Sequence, residues 1–277
     1  MKRNFLHTRY GETTYLPFFF YLFVFLLSSS IYGQVQKVNY DENKVPQYRL
    51  PDPLILNDGS AVKDVLIWKD IRRKEILEMF EKEMFGKTPD IKLPVSFELA
   101  SLDKNALNGK ATRKEIKVYF TSDRNGPSMV ILMYLPNKVN HEVPVFLGMN
   151  FDGNHTIHSD TGISITKNWQ ELNQQKQIGN NTRGTEYSRW PVERIMDRGF
   201  GLATIYYEDL DPDFDDGFQN GVHPLFYQNG QSKPANDEWG SIGAWAWGYS
   251  RAMDYLETDK DVDSRRVVLM GHSRLGK

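Results

Sequence analysis

The chain closes on the apolar run Val267-Val268-Leu269-Met270 followed by Gly271-His272-Ser273-Arg274-Leu275-Gly276-Lys277. A buried strand, a tight turn bearing serine and the first turn of a helix form a nucleophile elbow, which lifts the hydroxyl clear of a sheet. Few local patterns constrain a fold more, because the strand must sit inside a mostly parallel sheet for the turn to face a crevice. The second glycine stands at 276, one place beyond the usual G-x-S-x-G spacing, with Leu275 in its stead. The competing reading is a serine that merely caps a helix, its glycines allowing close packing. In catalytic elbows of this kind the acid and histidine follow the serine in the chain. Four residues cannot hold them, so the chain reads as cut just after its nucleophile.

Lys2, Arg3 and Arg9 precede the apolar run Leu16 to Leu27, then Ser28-Ser29-Ser30 and Ile31-Tyr32-Gly33. That order predicts a signal peptide over 1–33, cleaved after Gly33, and a secreted or periplasmic product. The apolar core is short for a bilayer span, so no stable membrane insertion is expected after cleavage; a retained anchor is the alternative. The net charge of -2 offers no basic surface, which excludes nucleic acid as a partner. Zero cysteines exclude disulfides, thiolate metal sites and a cysteine nucleophile.

Residues 34–53 are polar with scattered proline and read as an extended lead-in to a domain over 54–277. Asp64 to Phe85 predicts an amphipathic helix, with Val65, Trp68, Ile71, Ile76, Met79 and Phe80 on one side and Gly86 as its stop. Strand character follows over Val95–Leu102, Lys114–Thr121 and Met129–Leu135, an antiparallel meander separated by turn-rich stretches. Val143–Met149, Gly201–Tyr207 and Val267–Met270 are nearly all apolar, as for strands buried on both faces. Helices are expected over Pro191–Arg198 and Ser241–Leu256. An antiparallel start feeding parallel crossovers, with serine after the last strand, is the order of an α/β-hydrolase fold, a three-layer αβα sandwich, truncated just after the nucleophile elbow.

The elbow, together with Trp239-Gly-Ser-Ile-Gly-Ala-Trp-Ala-Trp247, Ala252 to Leu256, Leu147 to Thr156, Arg189 to Arg194 and Ala203 to Asp209, resembles the glucuronoyl esterases of carbohydrate esterase family 15. The resemblance covers roughly residues 50–277. It implies a serine esterase without metal or organic cofactor that cleaves the ester between 4-O-methyl-glucuronate on plant cell-wall glucuronoxylan and lignin alcohols. Carried over by position, it implies Ser273 as nucleophile, Arg274 as oxyanion stabiliser and Lys277 as a ligand of sugar hydroxyls. The loop Asn150 to Asn154 lies where a second oxyanion N–H originates in this fold. An acetylxylan or other carbohydrate esterase, and a non-catalytic carbohydrate-binding or interaction remnant, are the alternatives.

Other features point elsewhere. His155 and His158 with Asp152 and Asp160 lack a defined third metal ligand and read as loop residues. Asp209, Asp211, Asp213, Asp215 and Asp216 depart from calcium-loop spacing and read as a solvated acidic loop, with a role at the rim of a cleft left open. The tryptophans from Trp239 to Trp247 read as core, Trp239 being the one that could be exposed. His223 precedes the nucleophile strand and stands in the wrong order for a catalytic base.

Overall fold

The computed structural model describes residues 38–166 and 179–277; the expected leader lies outside them. The chain divides into two compact units, Met1–Asp52 and Pro53–Lys277. In the first, the described stretch holds a single 3-10 turn, Glu42–Lys44, whose N-cap Asp41 accepts from the Asn43 amide.

The second unit begins with a helical run capped by Asp64, whose carboxylate accepts from the Leu66 and Ile67 amides at 2.8 and 2.9 Å. A first turn (Val65–Ile67) leads into a π-turn (Trp68–Arg72), then α1 (Arg73–Phe80), then a second π-turn (Glu81–Phe85). The expected helix is present, but its stripe is not buried: Val65 is 61% exposed and Met79 52%. Each π-turn adds a residue to the repeat and rotates the next segment about the axis, so a stripe counted at 3.6 residues per turn loses its common face.

Among the described residues six strands form one mixed sheet: β1 (Ser96–Ala106), β2 (Ala111–Tyr119), β3 (Ser128–Pro136), β4 (Val143–Asn150), β5 (Gly201–Tyr206) and β6 (Val262–Met270), in the order β1-β2-β3-β5-β4-β6. The first three are an antiparallel meander, β3 pairs antiparallel with β5, and β5, β4 and β6 run parallel. The crossover from β4 to β5 carries α2 (Val192–Asp197), and that from β5 to β6 carries α3 (Ser241–Leu256). These crossovers step in opposite directions across the sheet. Parallel crossovers are right-handed, so their helices must cover opposite faces.

The core shows the same two layers. Ile131, Met133 and Leu135 of β3 pack with Trp245, Tyr249 and Ala252 of α3. The alternate residues Leu132 and Tyr134 pack with Val192 and Met196 of α2. An unbroken apolar strand is what burial on both faces requires, and β4 and β5 meet that expectation, as does β3, which the sequence placed only in the meander. β6 does not: it lies at the sheet edge, with Val268 47% and Leu269 62% exposed.

Candidate active site

β6 ends at Met270, and after Gly271 and His272 the chain enters a 3-10 turn, Ser273–Gly276. Ser273 holds φ at 53°, in the left-handed region that a residue with a Cβ seldom adopts. Strain of this sort costs on the order of 1–3 kcal/mol and persists where the surroundings enforce it. Here the enforcing contacts are visible. Leu275 is buried in the α3-side core and its amide donates to the His272 carbonyl at 3.1 Å. A Cβ on Gly271 would overlap the Leu275 carbonyl and the Gly276 backbone. Gly276 therefore serves the elbow from its displaced position, because the turn folds it back onto Gly271. Ser273 itself is exposed.

The geometry brings Arg274, the residue after Ser273, together with Asp213, a member of the acidic run read from the sequence as a solvated loop. The Arg274 guanidinium forms an ion pair with Asp213 and lies 3.4 Å from the Tyr207 hydroxyl oxygen. It also faces the Phe151 ring, 4.9 Å from its centroid. The Tyr207 hydroxyl donates to Asp213 at 2.8 Å and stands 3.1 Å from Glu208. Burial, then the neighbouring Glu208 charge, raises the Tyr207 phenol, which keeps its proton. The Tyr207 contact leads the effects that raise the Arg274 guanidinium. The acidic loop thus differs from the solvated reading: Asp209 and Asp211 are buried at 3% and 2% exposure, and Asp213 pairs with arginine.

Lys277 follows the same turn and is exposed. With Arg274, Leu275 and Gly276 it borders a groove of about 570 Å³ between α3 and β6. At the ends of β4 and β6 a second cavity of about 380 Å³ is lined by Asn150, Phe151, Glu186, Trp190, Gly271 and His272. β4 is where the crossovers reverse direction, and the crevice beyond the carboxyl ends of strands at such a reversal is the usual ligand position in open α/β sheets.

The loop after β4 is fixed by Asn150. Its amide nitrogen donates to Asn154, Thr204 and the Ile205 carbonyl at 2.7, 2.9 and 3.1 Å, and its oxygen accepts from Gly153 N–H at 2.8 Å. The Gly153 amide is therefore committed, which removes it from the oxyanion candidates in this loop. Tyr249 of α3 ties the two strand ends: its hydroxyl accepts from Met149 N–H at 2.8 Å and donates toward the Met270 carbonyl at 3.4 Å.

The histidines serve separate purposes. His155 is buried against the Thr182 hydroxyl at 2.9 Å, and His158 accepts from the Asp160 amide at 3.0 Å. Among the described residues no three carboxylates or histidines converge as a metal site. His223 is fully buried between the Phe218 and Trp239 rings, 3.3 Å from Asp211. Burial lowers its pKa from 6.5 to about 4 and raises that of Asp211 from 3.8 to about 7. Trp239, Trp245 and Trp247 are all buried, Trp239 included.

Residues 200–277 match the family model "Glucuronyl esterase, fungi". The chain is 44% identical over 252 residues to carbohydrate esterase MZ0003 of an unknown prokaryotic organism, covering 89% of this chain and 58% of that protein. The solved glucuronoyl esterase from Solibacter usitatus superposes with a TM-score of 0.80 at 48% identity, over 84% of this chain and 60% of that one. A promiscuous CE15 esterase from a marine bacterial metagenome gives 0.75 at 44%, over 86% and 60%. The chain spans about three fifths of the length of these relatives. Its sheet, its elbow and these similarities agree: over about three fifths of their length, the chain has the α/β-hydrolase fold of the glucuronoyl esterases of carbohydrate esterase family 15, which it resembles.

Proposed function

We propose that the chain carries the nucleophile portion of a secreted or periplasmic serine esterase acting on esters of 4-O-methyl-glucuronate in plant cell-wall xylan. The observation that carries this reading is Ser273, held at φ 53° after β6 with the Arg274 guanidinium tethered to the neighbouring β5 loop, in a chain similar to solved glucuronoyl esterases. The leader-like segment over 1–33 supports export.

In this reaction the Ser273 hydroxyl oxygen attacks the uronoyl carbonyl carbon, and the carbonyl electron pair moves onto oxygen. Arg274 and a backbone N–H hold that oxyanion; one such donor contributes about 3 kcal/mol in a water-poor site. The pair then returns, the bond to the alcohol oxygen breaks, and the serine proton reaches the departing alcohol through a general base. Water repeats the sequence on the acyl-enzyme, releasing uronate. Lys277 donates to sugar hydroxyls. No residue described here is assigned as the base or its acid partner.

In the full-length protein, Ser273→Ala is expected to abolish turnover of benzyl glucuronate. Normal turnover by that variant overturns the assignment, and a preference for acetyl over uronate esters moves it to an acetylxylan esterase.

A further inference from the structure

Arg274 is 44% exposed in its side chain, yet its guanidinium meets Asp213, the Tyr207 hydroxyl and the Phe151 ring. A long, flexible cation at a cleft rim ordinarily samples many rotamers, and the entropy lost in fixing it must be offset by its contacts. Three groups supply those contacts. Asp213 forms the ion pair, Tyr207 holds Asp213 through its hydroxyl at 2.8 Å, and Phe151 presents its ring to the guanidinium plane. Arginine's planar fork suits such a seat, with its edge on a carboxylate and its face on an aromatic ring.

The carboxylate is itself firmly placed. The Tyr207 ring is buried and packs on Phe151 and Trp245, with centroids 5.3 and 5.1 Å apart. Trp245 in turn donates to the Asp211 carbonyl at 3.0 Å, which pins the loop two residues before Asp213. A chain of contacts thus runs from α3 through the β5 loop to the arginine beside the nucleophile. Asp213 itself lies outside the core: its side chain is 29% exposed, and its partners are Tyr207 and Arg274.

We propose that Asp213 is a positioning residue: it fixes the Arg274 guanidinium where the oxyanion forms, and it acts on catalysis only through Arg274. This rests on the reading of Arg274 as an oxyanion donor. An interaction made only in the transition state alters kcat and leaves KM nearly unchanged. Asp213→Asn keeps the shape and one hydrogen bond but removes the charge that fixes the fork. A displacement of the order of 1 Å in a catalytic group costs about 100-fold in rate.

The test is a double-mutant cycle in the full-length protein on benzyl glucuronate, with the Arg274 side-chain NMR signal, identified by its loss in Arg274→Ala, read in parallel. Asp213→Asn is expected to lower kcat about 10- to 100-fold with KM within about threefold, to broaden the Arg274 signal, and to add nothing in an Arg274→Ala background. Asp213→Glu should recover part of the loss. An unchanged kcat in Asp213→Asn, or an equal loss with and without Arg274, overturns the proposal. Normal turnover by Arg274→Ala would instead sink the oxyanion reading, while the NMR signal still reports whether Asp213 holds the guanidinium. If Asp213→Asn fails to fold, Asp213→Ser, which also removes the carboxylate and leaves Tyr207 in place, must give the same kcat-selective loss.

Discussion

β4 and the apolar end of β6, Val267–Met270, lie side by side and parallel, and Leu147 of one pairs in register with Leu269 of the other. Their environments differ sharply. Leu147 is 1% exposed and Leu269 is 62% exposed. β4 has β5 on one side and β6 on the other, whereas among the described residues β6 has β4 alone. An apolar run therefore records the surroundings a strand suits, and its position in the sheet decides how much of that burial is present. The elbow sits on the less buried strand and borrows its rigidity from the more buried one, through Tyr249 and the Asn150 loop.

The comparison breaks most visibly at Leu147. Replacing it with Ala removes a fully buried side chain from the α3-side core, and the expected loss is about 3 kcal/mol, within the 2–5 range for such cavities. Urea unfolding monitored by tryptophan fluorescence would measure it. A loss below about 1 kcal/mol would mean that the core beside β4 collapses easily, and the contrast between the strands would lose its physical basis. Tyr249→Phe comes next. It leaves the ring in place and strands the buried Met149 N–H, so stability should fall by about 1–3 kcal/mol. Because the same hydroxyl reaches the Met270 carbonyl, amide exchange should quicken at the ends of both strands. Faster exchange confined to β6 would show that the tie to β4 is weak.

Much of this arrangement is legible in the sequence. Alternating or unbroken apolar runs locate all six strands, and the glycines around Ser273 mark the turn. The motif points to Arg274 but not to its partner. Asp213 stands in a run of aspartates that local charge alone describes as solvated, and what distinguishes it is the position of Tyr207 directly after β5. That relation is created by the fold and leaves no local period. The exposed stripe of the 65–85 helix has a similar origin, since two π-turns shift the register without a proline or glycine to announce them. Gly276 departs from the motif's spacing, and its packing on Gly271 shows how the turn accommodates it.

The interior side of the comparison also carries a titratable group. Asp211, on the loop after β5, ionises near 3.8 when exposed and near 7 when buried here. Between those values the folded chain binds the extra proton, so this group's contribution to stability declines as pH rises from about 4 to about 7 and is level above. Asp211→Asn removes the decline. The variant should therefore gain stability relative to the parent across that window, with His223 neutral in both folded proteins above about pH 4. Denaturant midpoints from pH 4 to 8 would show it, and a parallel pair of curves would mean that Asp211 is ionised in the fold.

Leu269→Ala should have the smallest effect and is the sharpest control on the comparison, because it makes the chemical change of Leu147→Ala at the paired position. With 62% of the residue exposed, most of its surface is in water in both the folded and unfolded chain, so the transfer contribution nearly cancels. Its remaining contacts lie along the groove shared with Trp245 and Tyr249. The expected change is within about 0.5 kcal/mol, as for surface substitutions generally. A loss approaching that of Leu147→Ala would show that this face of β6 is covered in solution, and would place the elbow on a strand as firmly held as β4.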